Sequence, residues 1–96
     1  MRRCIDVANY TTVPTPEQVA CLLAQGFDTA IVGASYGTVA HDQLAAFSAG
    51  GMAVEAYAWV SFKDDWMACI DRAFMACFGL PVKRMWLDCE EDPGAA

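Results

Sequence analysis

Hydrophobic and polar positions along this chain fall into two kinds of segment, short apolar runs and longer stretches with helical spacing. The short runs are bounded by Gly, Pro or polar residues, as strands are. They predict strands over residues 4–10, 29–34, 52–60 and 83–88.

Between these strands, apolar residues recur at the three-to-four-residue spacing of helices. Thr15 and Gln18 are spaced as a capping box for a first helix, which Gly26 ends. A second helix is predicted over 41–49. A third is predicted to begin at Asp64 and Asp65 and to be closed by Gly79 and Pro81.

The helices are expected to bury their larger apolar residues against the sheet. In the second helix these are Leu44 and Phe47. In the third, the spacing of Trp66, Phe74 and Met75 is that of a packed helix, which favours core residues over a cofactor site.

The predicted order is strand then helix three times, followed by a fourth strand, with a repeat of about 25–30 residues, as in eight-unit βα barrels. This alternation predicts an α/β fold with a parallel βαβαβαβ sheet. The sheet is either a small open one or the first half of a (β/α)8 (TIM-type) barrel. In both, chemistry is expected at the C-terminal ends of the strands. Residues 1–96 are expected to form a single domain. If the sheet is half of a barrel, this domain is only part of the complete barrel domain.

Composition excludes several functional classes. With 56% hydrophobic and 19% charged residues, the chain is too apolar for disorder. No apolar run approaches the roughly 20 residues of a membrane span. With a formal net charge of −6, the chain lacks the excess of basic residues that binding to nucleic acid requires. A glycine-rich phosphate loop is missing after the first strand, where residues 9–12 read Asn-Tyr-Thr-Thr, so no nucleotide cofactor is expected.

Cysteine usage and the N-terminal segment bear on metal binding and location. None of the five cysteines forms a CxxC pair, so neither a disulfide framework nor a metal site is expected. Asp6 and Asn9 interrupt the apolar core that a signal peptide would need. No signal peptide is therefore expected, and the location of the protein stays open.

The most informative segment for chemistry is 86–90, Trp-Leu-Asp-Cys-Glu. Residues two apart on a strand point to the same side, so Asp88 and Glu90 are both expected at the barrel mouth. Two carboxylates held close leave an acid beside a base, which glycosidic cleavage uses. The alternative interpretation is a solvated acidic tail, because Glu91 and Asp92 continue the run.

Other strand ends add an acid and aromatic rings to the same mouth. Asp6 comes from the first strand, Tyr36 follows the second, and Tyr57 and Trp59 share one side of the third. Carboxylates and aromatic rings at one mouth suit a carbohydrate, because rings stack on sugar faces while carboxylates do acid–base work. Glu55 is two residues before Tyr57, and the pattern allows either a buried or an edge position.

Four segments in order resemble glycoside hydrolase family 25, the lysozyme-type muramidases with a (β/α)8-like barrel. They are residues 5–10, 30–37, 54–57 and 87–90. The resemblance spans nearly the whole chain and implies the N-terminal half of such a barrel. The activity it implies is hydrolysis of the β-1,4 bond between N-acetylmuramic acid and N-acetylglucosamine in peptidoglycan, the glycan of the extracellular cell wall. It implies no cofactor.

The resemblance also implies roles for individual residues. Glu90 matches the general acid in the family's D-x-E pattern, Asp88 its neighbouring carboxylate, and Asp6 the aspartate that closes the first strand. In the family such carboxylates position the substrate's N-acetyl group or stabilise charge. Tyr57 matches an aromatic near the sugar subsites, and Tyr36 and Trp59 are further substrate-binding candidates.

The sequence departs from the family in ways that affect the expected activity. Many members carry Arg where Gly33 stands, so the pocket wall is expected to differ. The family's later strands, with a further acidic residue, are absent, so a lone half is expected to show negligible hydrolysis. Its first and fourth strands would be unpaired, and the expected outcome is either a homodimer that completes a barrel or an insoluble chain. The alternative function is a non-catalytic truncated barrel that self-associates or binds glycan.

Overall fold

The computed structural model describes residues 2–7, 12–34, 39–60 and 65–89, and within these ranges strands and helices alternate as predicted. The elements are β1 (Cys4–Val7), α1 (Pro16–Ala24), β2 (Thr29–Gly33), α2 (Val39–Ala49), β3 (Ala53–Trp59), α3 (Trp66–Ala76) and β4 (Val82–Asp88). None of the described helices has the length and apolarity to cross a bilayer.

The four strands form one parallel sheet in the order β1-β2-β3-β4. Each strand pairs with its neighbours in sequence, so β1 and β4 are the two edges of the described sheet. Asp6 aligns with Ile31, which aligns with Glu55, and Tyr57 aligns with Trp86. The predicted α/β class with a parallel sheet is confirmed, and the arrangement is consistent with a half-barrel-like α/β unit.

The three helices share one face of the sheet with a single hydrophobic core. Alternate residues of the strands point into this core and meet buried residues from each helix. The fully or nearly fully buried members are Val7, Val19, Ala30, Val32, Ala34, Ala40, Leu44, Phe47, Met52, Val54, Ala56, Ala58, Ala73 and Ala76. Leu44 and Phe47 are thus buried as predicted.

The intervening strand residues point to the opposite side of the sheet, here called the open face. By alternation and register this face carries Asp6, Ile31, Gly33, Glu55, Tyr57, Trp59, Trp86 and Asp88. On β4, the alternation is offset by a register shift: Val82 pairs with Val54, and Met85 pairs with Ala56. The open face is therefore where the candidate chemistry lies.

Helix α1 begins and ends as its sequence predicts. The Thr15 hydroxyl accepts from the Gln18 backbone N–H at 3.2 Å, and the Gln18 side chain accepts from the Thr15 N–H at 2.9 Å. Gly26 follows the helix with φ of +93°, a conformation that favours glycine. These end signals fix where the chain turns back into β2.

The prediction that Trp66, Phe74 and Met75 lie in the core is wrong. Their exposed fractions are 43%, 58% and 73%. The stripe of α3 that meets the sheet consists of smaller side chains, namely Cys69, Ala73 and Ala76. Because small residues let this helix approach the sheet closely, its large residues are left on the outer sides.

Candidate functional site

A cavity of about 350 Å³ lies on the open face, toward the C-terminal ends of the strands. Its lining residues are Asp6, Ile31, Tyr57, Trp86 and Asp88. Every strand of the sheet contributes to it, and its two carboxylates come from the two opposite edges. Residues separated by more than 80 positions in sequence are thereby brought to one site.

Three of the predicted site residues meet in this cavity. Asp6 is exposed, and Asp88 and Tyr57 are half-buried. Asp88 is the last residue of β4 and Asp6 the third of the four residues of β1, so both carboxylates lie near strand C-termini. The aromatic ring of Tyr57 lies on the open face with them.

The remaining predicted site residues are placed differently. Trp59 is half-buried and pairs in register with Asp88, but it does not line the cavity. Glu90, the predicted general acid, lies outside the described residues, as does Tyr36. Their proposed roles therefore stay predictions.

Tyr57 reaches across the sheet to its register partner Gly33 on β2. A Cβ at position 33 would lie 2.7 Å from the Tyr57 hydroxyl oxygen and 2.8 Å from its Cζ. Only glycine leaves room for the ring at this position. Gly33 thus provides the space that the Tyr57 ring occupies beside the cavity.

Trp86 is exposed over 46% of its surface, yet its indole nitrogen is bound inside the protein. Its Nε1–H donates to Oε1 of Glu55 at 2.8 Å. The other oxygen of Glu55, Oε2, accepts from the Arg2 guanidinium in an ion pair. The Glu55 side chain is only 2% exposed. One buried carboxylate therefore connects the N-terminal segment to a ring that lines the cavity.

Glu55 and Trp86 are site residues to which sequence reasoning gave no role. The signal was nevertheless present, because Glu55 is the only charged residue in the apolar segment 52–60 and shares a face with Tyr57. Trp86 likewise shares a face with Asp88, two residues on. What the pattern could not show is that Glu55 and Trp86 are bonded to each other.

The cavity carries two carboxylates, those of Asp6 and Asp88 on opposite edge strands, beside the rings of Tyr57 and Trp86. Within the ranges that the structure covers, no three His, Cys, Asp or Glu side chains gather as ligands of a metal would.

No family model matches the chain, and neither the curated proteins nor the solved structures contain a match.

Proposed function

We propose that this chain is the carboxylate-bearing half of a lysozyme-type glycoside hydrolase. Its substrate is the β-1,4 bond between N-acetylmuramic acid and N-acetylglucosamine in peptidoglycan. The observation that supports this best is the meeting of Asp6 and Asp88 in one cavity beside Tyr57 and Trp86. Carboxylates flanking a sugar-sized space with aromatic walls match what glycosidic cleavage needs.

In the proposed mechanism the roles are divided among three acids. Glu90 protonates the leaving glycosidic oxygen as the bond to the anomeric carbon breaks, and water then adds to that carbon and returns a proton to Glu90. The carboxylates of Asp88 and Asp6 lie close to the sugar and stabilise the positive charge that develops on it, or position its N-acetyl group. Tyr57 supplies an aromatic surface at the subsite, and Tyr36 and Trp59 extend it.

Cleavage in this proposal requires a closed barrel, because a four-stranded sheet covers only one side of the substrate. A second copy of the chain supplies the other side. The edges β1 and β4 are unpaired within the described sheet, and twofold symmetry would join each β4 to the partner's β1.

Exposed apolar surface beside β4 also favours association. Phe74, Phe78 and Leu87 are 58%, 80% and 55% exposed. A groove of about 320 Å³ between the end of α3 and β4 is lined by the two phenylalanines together with Val82 and Met85. Contiguous apolar surface of this kind marks interfaces or aggregation.

The test combines light scattering with a cell-wall assay on the same samples. The oligomeric state is measured by size-exclusion chromatography with light scattering over a range of protein concentrations. Loss of turbidity and release of reducing ends are then measured from purified peptidoglycan. We expect negligible hydrolysis from the monomer and hydrolysis confined to the associated species. Glu90→Gln should abolish it, whereas Glu91→Gln removes the same charge and should leave it intact.

The outcomes separate the two candidate functions. Associated protein that binds peptidoglycan but releases no reducing ends would support the non-catalytic alternative, a truncated barrel that binds glycan. Retained hydrolysis in Glu90→Gln would refute the assignment of the general acid. A folded protein that neither binds nor cleaves peptidoglycan would refute the proposed function itself.

A further inference from the structure

The bond between Trp86 and Glu55 is unusual for a half-exposed tryptophan. Trp86 is 46% exposed, and the N–H of an exposed indole can donate to water. Here it donates instead to a carboxylate that is 2% exposed. The hydrogen bond fixes the direction of the indole nitrogen and hence the orientation of the ring.

Stability alone gives little reason to place a carboxylate at position 55. A buried charge is costly to desolvate, and apolar replacements of buried ion pairs are often neutral or stabilising. The register partner of Glu55 on the same face of the sheet, Ile31, is apolar. Unlike an apolar residue, Glu55 fixes the orientation of its neighbours, because one of its oxygens binds Arg2 and the other binds Trp86.

The ring that Glu55 orients lines the cavity between the two candidate carboxylates. Trp86 pairs with Tyr57 across the sheet, and both side chains line the space together with Asp6 and Asp88. The Arg84 guanidinium lies 5.9 Å from the Trp86 ring centroid. A sugar ring lying on such a surface keeps its hydroxyl and acetamido groups free for the acids around it.

We infer that Trp86 is the stacking surface for an N-acetylhexosamine ring of the β-1,4-linked glycan, and that Glu55, braced by Arg2, is the positioning residue that holds it. The inference rests on the proposed function, because the ligand is the same glycan. It adds the residue that holds the sugar and the pair that orients this residue. Glu55 itself touches no substrate.

The orientation is tested first, by the indole N–H signals in a proton–nitrogen NMR spectrum. The chain has three tryptophans, and the signal lost in Trp86→Ala identifies that of Trp86. We expect this N–H to be protected from exchange with water in the wild type and in Glu55→Gln, which keeps an acceptor oxygen. In Glu55→Met it should exchange rapidly. Protection that survives Glu55→Met would overturn the positioning role.

Binding is tested with triacetylchitotriose, a soluble β-1,4-linked N-acetylglucosamine trimer, by titration calorimetry. Trp86→Ala should weaken binding by about tenfold or more, a typical loss for an aromatic stacking surface. Glu55→Met should weaken it by a similar factor with an unchanged unfolding midpoint, and Glu55→Gln should restore most of it. Trp66→Ala is the matched control, because Trp66 is 43% exposed but lies on α3.

The two proposals fail in different ways. Trimer binding that is unchanged in Trp86→Ala would overturn the stacking surface and leave the proposed function standing. A wild-type chain that binds neither the trimer nor peptidoglycan would overturn both. Weakening by Trp66→Ala as large as that by Trp86→Ala would show a general effect of losing an aromatic ring and would also overturn the inference.

Discussion

The Tyr57 hydroxyl occupies the place where a side chain on Gly33 would begin. The two residues are register partners on adjacent strands, so the ring lies across the neighbouring strand. Any side chain at position 33 would clash with the ring in this position. Tyr57 and Gly33 therefore act as a unit in shaping the pocket wall.

Gly33→Ala should destabilise the protein by about 1–3 kcal/mol, because an added methyl group must displace the Tyr57 ring. In a Tyr57→Ala background the same change should be neutral or stabilising, since alanine is otherwise better than glycine in a strand. Urea unfolding of the four variants gives the coupling between the two sites. Equal costs of Gly33→Ala in both backgrounds would contradict the contact.

Arg2→Met and Glu55→Met should have unequal effects on stability. Removing Arg2 leaves one oxygen of a buried carboxylate without its partner, which should cost about 1–3 kcal/mol. Removing Glu55 should change stability by less than about 1 kcal/mol, because the half-exposed Arg2 and Trp86 can turn to water. The double variant should resemble Glu55→Met. Thermal and urea unfolding measure all three, and an Arg2→Met variant as stable as the wild type would contradict the ion pair.

Thr15→Ala should lower the free energy of unfolding by about 0.5–2 kcal/mol, because it removes the oxygen that caps α1 at the Gln18 N–H. Thr12→Ala is the control, since Thr12 is exposed and lies outside the helix. Its effect should stay within about 0.5 kcal/mol. Urea unfolding compares the two, and equal losses would show that the capping box does not stabilise the helix.

Burial raises the pKa of the Cys77 thiol above its ordinary value of 9.0. The unfolded chain therefore loses this proton at lower pH than the folded chain does. The stability that Cys77 contributes should be complete below pH 9 and decline as pH rises through the folded pKa. Cys77→Ala should reduce the alkaline decline in unfolding free energy, whereas Cys21→Ala, at an exposed cysteine, should not. An identical decline in the wild type and Cys77→Ala would contradict the shift.

Local signals in the sequence were enough to predict the elements of the fold. The capping box at Thr15 and Gln18 and the turn at Gly26 act within a few residues, so they predict where α1 begins and ends. Burial on α3 could not be predicted in the same way. Apolar residues surround this helix, and only its docking on β3 decides that Ala73 rather than Phe74 meets the sheet.

The alternation of residues along a strand was enough to predict which side chains share a face of the sheet. It was not enough to predict which of these side chains bond to each other. Alternation on parallel strands was enough to predict that Asp6, Tyr57 and Asp88 share one mouth. The pairing of Glu55 with Trp86 joins residues 31 positions apart and depends on register. Register in turn depends on an irregularity in the β3–β4 pairing, which no local pattern shows.

That irregularity determines where the chain can change length. Between Val54 and Ala56 stands Glu55 alone, whereas Lys83 and Arg84 both stand between the partner residues Val82 and Met85. Deletion of Lys83 or Arg84 would make the β3–β4 pairing regular. Trp86 and Asp88 would keep their present partners, Tyr57 and Trp59.

A one-residue insertion or deletion after Met85 would have the opposite effect, since it would turn Asp88 toward the helices. Within β4, evolution or a protein engineer could therefore remove a residue before Met85 and keep the site. After Met85, a change of one residue in length would abolish the site without any substitution in it.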